Sequence, residues 1–115
     1  MSGGRHSNLA GKRRTHALVF TALGDPTRLS LVAKLCTGTP RSISQLTKRS
    51  KLTRQAITKH LRVLENAGIV HSVRAGRESL FKFDLEPIAE LRAYLDLVSE
   101  QWDQALFRLK AFVEE

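Results

Sequence analysis

The most constraining feature of this 115-residue chain is an apolar repeat in its last third. Apolar residues recur there at alternating intervals of three and four, the spacing of a heptad seam on an α-helix. The eight positions are Ile88, Leu91, Leu95, Val98, Trp102, Ala105, Leu109 and Phe112. A helix of about 25 residues is roughly 37 Å long, and one small domain can scarcely cover so long a stripe. The pattern predicts a helix over about residues 87–113 whose seam is shared with a second copy of the chain, most simply across a two-fold axis. Packing of the seam on its own chain is the alternative.

The composition fits one globular domain. The chain is 42% hydrophobic and contains only seven Gly and three Pro, which favours a packed core over a disordered chain. Its single cysteine rules out an internal disulfide and suits a reducing compartment. No apolar run approaches the roughly 18 residues that a membrane span requires. We therefore expect a cytoplasmic protein with no membrane partner.

Charge is divided unevenly along the chain. Residues 1–83 contain 16 basic and only three acidic side chains, a net charge of +13. Residues 84–115 contain three basic and eight acidic side chains, a net charge of −5. So large a local excess of positive charge favours a polyanionic partner over a merely solvated surface.

The order of the elements can be read from helix start and stop signals. Residues 1–11 are small and polar, which predicts a flexible N-terminal arm. We expect the remainder, residues 12–115, to form a single domain that begins with two helices. The first spans about residues 12–23, and the second begins at Pro26 with Asp25 as its N-cap.

A tightly connected helix pair occupies the middle of the chain. Ser42 and Gln45 have the spacing of a capping box, which opens a short helix over about residues 43–49. A few residues later, Thr53 caps a second helix that runs over about residues 53–67. Two helices joined so closely form a helix-turn-helix unit.

The second helix of this pair has two contrasting faces. Ile57, Leu61 and Leu64 recur at i, i+4 and i+7 and predict the face that enters the core. The opposite face carries five side chains that can donate hydrogen bonds and no acidic residue, which suits a recognition helix in the major groove of DNA. An ordinary solvated face is the alternative. The predicted DNA contacts on this helix are Thr53, Arg54, Gln55, Thr58, Lys59 and Arg62.

A β-hairpin with a basic tip is predicted over about residues 69–84. Gly76 allows the positive φ that a tight hairpin turn requires. A basic hairpin beside a helix-turn-helix is a wing, which can follow the DNA backbone or enter the minor groove. Phe81 and Phe83 alternate on one strand and predict core packing, with base stacking as the alternative. The predicted wing contacts are Arg74, Gly76, Arg77 and Lys82.

This order of elements resembles the ArsR family of winged helix-turn-helix repressors. The resemblance covers residues 15–113 and rests on three segments, ALGDPTRL at 22–29, AITKHLRVLENAGIV at 56–70 and RAGRE at 74–78. It implies a mainly α fold with a small β-hairpin, in the order α-α-α-α-β-β-α, and a homodimer joined through its first and last helices. It also implies sequence-specific binding to an imperfect inverted repeat in double-stranded DNA and repression of its own or a neighbouring operon. The expected interface residues are Leu18, Ala22, Leu91, Leu95, Val98, Trp102, Leu106 and Leu109.

The chain departs from the metal-sensing members of that family. Their thiolate site needs a Cys-x-Cys pair on the short helix, and residues 43–49 contain no cysteine. The last helix contains no histidine, and carboxylates alone are poor ligands for zinc or copper. Cys36 falls on an apolar helical stripe, which predicts a core position. We therefore expect no metal and no other cofactor. The alternatives are a redox- or metal-responsive repressor with a non-standard site and a nonspecific, architectural nucleic-acid-binding protein.

No enzyme motif is present. The chain lacks a Gly-rich phosphate loop, a Gly-x-Ser-x-Gly elbow and a His-Glu-x-x-His pair. The expected partners are double-stranded DNA and a second copy of the chain. A small organic ligand or a partner protein is the expected kind of effector, if release from DNA depends on one.

Overall fold

The structure, a computed structural model, describes residues 3–114, with side chains described from Gly11 onward. It is mainly helical with a small antiparallel sheet, which confirms the predicted fold class. The elements are α1 (Gly3–Leu23), α2 (Pro26–Leu35), β1 (Arg41–Ser42), α3 (Ile43–Thr47), α4 (Arg54–Asn66), β2 (Val70–Ala75), β3 (Glu78–Phe83) and α5 (Glu86–Glu114).

The predicted helix caps are present. The Asp25 carboxylate accepts the backbone N–H of Arg28 at 3.0 Å, and Pro26 occupies the first turn of α2. Ser42 and Gln45 exchange both bonds of the capping box that starts α3. At the start of α4, the Thr53 hydroxyl accepts the N–H of Ala56 at 3.1 Å. These bonds satisfy N–H groups that helix starts leave without partners, so the boundaries follow from local sequence.

The sheet has three strands in the order β1-β3-β2. Strands β2 and β3 form the predicted hairpin, with Val70 opposite Phe83 and Ala75 opposite Glu78. Strand β1 was not predicted. Its two residues pair with Phe81 and Leu80 of β3, and a two-residue strand is too short to show the alternation by which strands are recognised.

The core lies between the helices and one face of the sheet. Ile57, Leu61 and Leu64 are fully buried, which confirms the predicted inner face of α4. Phe81 is buried and Phe83 packs against the same cluster, so both serve the core as predicted, and neither is free to stack on bases. The other core residues are Val19, Ala22, Leu31, Leu35, Leu46, Ala67, Ile69, Val70 and Leu91.

Two expectations about the N-terminal half are wrong. Helix α1 begins at Gly3 instead of near residue 12, so the described part of the predicted arm (residues 1–11) is helical; residues 1–2 lie outside the described residues. No proline or β-branched residue interrupts the sequence between residues 5 and 14, and extending an existing helix is far easier than starting one. Cys36 is exposed rather than buried. Helix α2 buries Leu31 and Leu35, and Cys36 follows at the C-cap, off that buried stripe.

None of the described helices combines the length and the apolar content needed to cross a membrane.

Candidate nucleic-acid interface

The outer face of α4 carries the predicted recognition residues. Arg54, Gln55, Lys59 and Arg62 are exposed, and Thr58 is partly buried. The first turn of α4 contains no acidic residue, so the positive end of its helix dipole is not neutralised locally. The face therefore presents hydrogen-bond donors and positive charge to solvent.

Three of the predicted recognition residues already have partners within the chain. The Thr53 hydroxyl is used as the N-cap, and the Thr58 hydroxyl donates to the carbonyl of Arg54 at 2.7 Å. Nη1 of Arg54 donates to Oγ of Ser44 on α3 at 3.0 Å, which holds the guanidinium toward the preceding helix. Gln55, Lys59 and Arg62 form no side-chain hydrogen bond with the residues that the structure describes. These three are free to bind DNA without breaking an internal contact.

The wing projects its tip into solvent. Ala75 and Glu78 form the last pair of the hairpin, so Gly76 and Arg77 make a two-residue turn between them. Gly76 has a φ of +64°, the left-handed value that the sequence predicted and that favours glycine. The side chains of Arg74, Arg77 and Lys82 are all exposed. The predicted wing residues thus lie on one hairpin, and none belongs to the core.

The base of the wing is fixed by two contacts that sequence reasoning missed. Oγ of Ser72 on β2 donates to Oε2 of Glu65 on α4 at 2.9 Å. Nε2 of His71 lies 2.8 Å from Oδ2 of Asp84, just before α5. The Asp84 carboxylate also accepts the N–H of Glu86. That backbone hydrogen bond, followed by the contact with His71, lowers the pKa of Asp84. The wing is therefore attached to both the recognition helix and the start of α5.

A further basic surface, also missed from the sequence, lies in the turn between α3 and α4. Lys48, Arg49 and Lys51 are exposed there within four residues. Arg49 has a φ of +64°, a conformation that residues other than glycine adopt uncommonly. We call these three residues the basic turn. It directly precedes the recognition helix and adds three positive charges beside it.

A polar junction joins α1, α2 and α4 behind the recognition face. Nε of Arg28 donates to the carbonyl of Ala22 at 2.7 Å, and Nη2 donates to that of Thr21 at 3.2 Å. Nη1 of Arg28 lies 3.4 Å from Nδ1 of His60 on α4, and the same nitrogen of His60 lies 3.9 Å from Oδ2 of Asp25. The N–H of Arg28, bonded to Asp25, is the main cause that lowers the pKa of this carboxyl.

Comparison with known proteins agrees with this geometry. The family model described as "Bacterial regulatory protein, arsR family" matches residues 25–72, which include the helix-turn-helix. The chain is 40% identical over 79 residues to the HTH-type transcriptional regulator YuzN of Bacillus subtilis, covering 64% of this chain and 86% of YuzN. It is 34% identical over 87 residues to the HTH-type transcriptional regulator Rv2034 of Mycobacterium tuberculosis, covering 76% of this chain and 78% of Rv2034. The chain belongs to the ArsR family.

Solved structures extend the likeness to most of the fold. An ArsR-like transcriptional regulator from Rhodococcus sp. RHA1 superposes with a TM-score of 0.78 at 34% identity, covering 89% of this chain and 95% of that one. A structure described as a possible transcriptional regulator for arsenical resistance gives 0.63 at 35% identity, covering 80% and 92%. As a member of the ArsR family, the protein is a DNA-binding transcriptional regulator and not an enzyme.

Helix α5 of this ArsR-family regulator leaves most of its apolar seam in solvent. Leu95, Trp102 and Leu109 are 45%, 69% and 59% exposed, and Leu106 beside them is 62% exposed. Val98 is partly buried, and Leu18 on α1 is exposed. No other part of the described chain covers the exposed surface of these apolar side chains.

Two of the predicted interface residues belong instead to the core of the single chain. Ala22 is 1% exposed and Leu91 is 5% exposed, so neither offers surface to a partner. Ala22 lies in the core near the C-terminal end of α1, and Leu91 lies in the core in the first turns of α5. Apolar spacing alone does not distinguish such core positions from interface positions. Their assignment to the interface is wrong.

The regulator is elongated. Its radius of gyration is 18.9 Å and its extents are 66 × 41 × 22 Å, whereas a compact chain of this length has a radius of gyration of about 13 Å. Helix α5 contributes to this excess, because it is 29 residues long and no described side chain of it beyond Leu91 is fully buried. A groove of about 580 Å³ lies between α1 and α5, with the rings of His16 and Tyr94 in contact at its wall.

No group of three or more His, Cys, Asp or Glu side chains within residues 3–114 is arranged to hold a metal ion.

Proposed function

We propose that this ArsR-family regulator is a homodimeric, metal-independent repressor that binds an imperfect inverted repeat in double-stranded DNA. The observation that carries the proposal is the uncovered apolar seam of α5. A second copy is the partner whose seam has the same length and spacing, and two identical seams pair most simply about a two-fold axis. A dimer with a two-fold axis binds a DNA site that has the same symmetry, and such a site is an inverted repeat.

The dimer would set the spacing of the two recognition helices. In two-fold helix-turn-helix proteins these helices lie about 34 Å apart, one turn of the duplex, so that each enters a major groove on the same side of the DNA. Helix α4 would then present Arg54, Gln55 and Thr58 to base edges. Gln55 supports this role best, because it is exposed and has no competing contact among the described residues. Arg54 would contact a base either while it keeps its hydrogen bond to Ser44 or after that hydrogen bond is broken.

Most of the affinity would come from contacts with the DNA backbone. The exposed arginines of the wing, Lys59 and Arg62 on α4, and the basic turn all carry positive charge beside the recognition face. Each phosphate that such a residue neutralises releases condensed counterions, so binding should fall steeply with salt. Repression would follow if the bound dimer overlaps a promoter. A regulator of this kind acts where the DNA is, and we propose a cytoplasmic location.

The test is selection of bound fragments from the source genome, followed by gel shifts on the selected duplex and on a scrambled duplex of the same composition. We expect tight binding to the first and at least about a thousand-fold weaker binding to the second at moderate salt. Equal binding to both would support the architectural alternative. No binding to either duplex at low salt would contradict the proposal and leave the winged helix as a surface for protein contacts.

Metal and redox dependence are tested on the same duplex. We expect equal affinity in EDTA and in added zinc or cadmium, because no cluster of ligands exists in the described chain. We also expect equal affinity before and after mild peroxide treatment, with Cys36→Ser as the control that lacks the exposed thiol. A metal-induced loss of binding, or a peroxide-induced loss that Cys36→Ser abolishes, would favour the responsive alternatives.

A further inference from the structure

The polar junction consists of Arg28, His60 and Asp25. It joins α1, which we expect at the dimer interface, to α4, which we expect to bind the DNA. The last four carbonyls of any α-helix lack intrahelical partners. Two of those at the end of α1 accept hydrogen bonds from Arg28 of α2, and the carbonyl of Thr21 also accepts the N–H of Gly24. The positive charge of Arg28 also suits the negative end of the helix dipole. The third nitrogen of the same guanidinium, Nη1, lies 3.4 Å from Nδ1 of His60 in the middle of the recognition helix.

We infer that Arg28 is a positioning residue for DNA recognition: through Thr21, Ala22 and His60 it fixes the angle between α1 and the recognition helix, and thereby the distance between the two recognition helices of the dimer. This inference rests on the proposed function. It concerns a residue of α2 whose side chain contacts α1 and α4 of its own chain.

The chemistry of the guanidinium supports this role. It is planar, always charged and holds its five donors in a fixed fork, so contacts at 2.7, 3.2 and 3.4 Å constrain three helices through one rigid group. Because Arg has no acceptor, the contact with His60 is a hydrogen bond when Nδ1 of that ring is unprotonated. Asp25 holds the start of α2 through the N–H of Arg28, so the backbone that carries the guanidinium is itself fixed.

Small rotations at this junction matter because the dimer amplifies them. A tilt of about 5° over an arm of roughly 17 Å, half of one duplex turn, moves the recognition helix by about 1.5 Å. Binding of one recognition helix to one half-site is insensitive to this displacement. Simultaneous binding of both helices to two half-sites of fixed spacing is sensitive to it.

The experiment compares Arg28→Met and Arg28→Lys with wild type on two duplexes, one with both half-sites and one with a single half-site, by fluorescence anisotropy. We expect Arg28→Met to lose at least about five-fold on the double site and less than about two-fold on the single site. The variant should also tolerate a double site whose spacing is changed by one base pair better than wild type does. Arg28→Lys, which keeps the charge but presents a single nitrogen, should show most of the same loss.

Two further variants separate the interpretations. Lys34→Met removes an exposed positive charge from the same helix and should change neither affinity. His60→Gln offers an amide oxygen to Arg28 and should retain more of the double-site affinity than His60→Leu. If Arg28→Met unfolds, judged by its thermal midpoint, the comparison rests on Arg28→Lys and on the two His60 variants.

Equal losses on the double and single sites would overturn the inference, because they would make Arg28 a direct contact or a general support of the fold. Unchanged affinity on both would also overturn it. Failure of the proposed function gives a different result: wild type itself would then bind the double site no more tightly than the single site.

Discussion

Trp102→Ala tests the uncovered seam most directly. Trp102 is 69% exposed in the single chain, so an indole side chain of about 250 Å² presents about 170 Å² that a partner can cover. If half of that area is buried in the dimer, the loss at about 25 cal/mol per Å² is about 2 kcal/mol for each copy. A two-fold interface contains two copies, so the dimer should lose about 4 kcal/mol, or about a thousand-fold in dissociation constant.

Sedimentation over a wide range of protein concentrations, without DNA, measures this change. The matched control is Phe107→Ala, since Phe107 is 75% exposed on the same helix but occupies the heptad position opposite the seam. We expect the Phe107 variant to dimerise like wild type and the Trp102 variant to be monomeric at micromolar concentration. An intact Trp102 variant beside a dissociated Phe107 variant would refute the seam and place the interface on the other face of α5.

Three further predictions concern DNA binding and stability. Gln55→Ala should cost about 1–3 kcal/mol on the selected operator and leave binding to scrambled duplex unchanged; equal losses on both in a gel shift would remove Gln55 from base reading. Arg77→Ala should weaken binding to both duplexes and reduce the slope of log affinity against log salt by about one, so an unchanged slope would contradict the wing contact. The pKa of Asp84 is lowered in the folded state by the N–H of Glu86 and by His71. Its stabilising contribution is therefore full above the ordinary carboxyl pKa and lost as pH falls through the lower folded-state value. The thermal midpoint should drop below about pH 4, and Asp84→Asn should make that drop smaller; an identical pH dependence in the variant would contradict the assignment.

Local signals in the sequence were sufficient to predict most of the helices and the hairpin. The Asp25, Ser42 and Thr53 caps act within three residues of themselves, so their effect is visible in the chain order. The contrast between the two faces of α4 is equally local, because helical periodicity separates Ile57, Leu61 and Leu64 from the donors. The positions of helix α4 and of the β2–β3 hairpin were consequently predicted correctly.

The features that could not be predicted from the sequence have two causes. Some depend on contacts between distant segments, and others depend on the exact residue at which a helix ends. Arg28 and His60 are 32 residues apart, and no periodicity connects them. The same holds for β1, which exists only because β3 offers it an edge. Cys36 illustrates the second cause: the apolar stripe of α2 was extended one residue beyond the point where the helix ends, and that residue faces solvent.

The predicted interface residues of α5 divide into two groups at the point where the helix leaves the core. Leu91 is held inside the chain, whereas the seam from Leu95 onward is exposed. A heptad repeat contains no mark of this change, because the same apolar spacing serves packing within a chain and pairing between chains. Only the position of the core, set by α4 and the sheet, decides which part of the repeat is available to a partner.

The unequal division of charge acquires a geometrical meaning in this fold. The acidic segment coincides with α5, whose first turns pack in the core and whose remainder extends beyond Leu91, while the helix-turn-helix and the wing carry a net positive charge. DNA attracts one end of such a molecule and repels the other. The proposed dimer would therefore approach the duplex with both recognition helices first and the paired α5 helices directed away from the phosphates. In this proposed dimer, charge would steer the approach, the α5 seam would join the two copies, and the junction at Arg28 would fix the spacing that the operator must match.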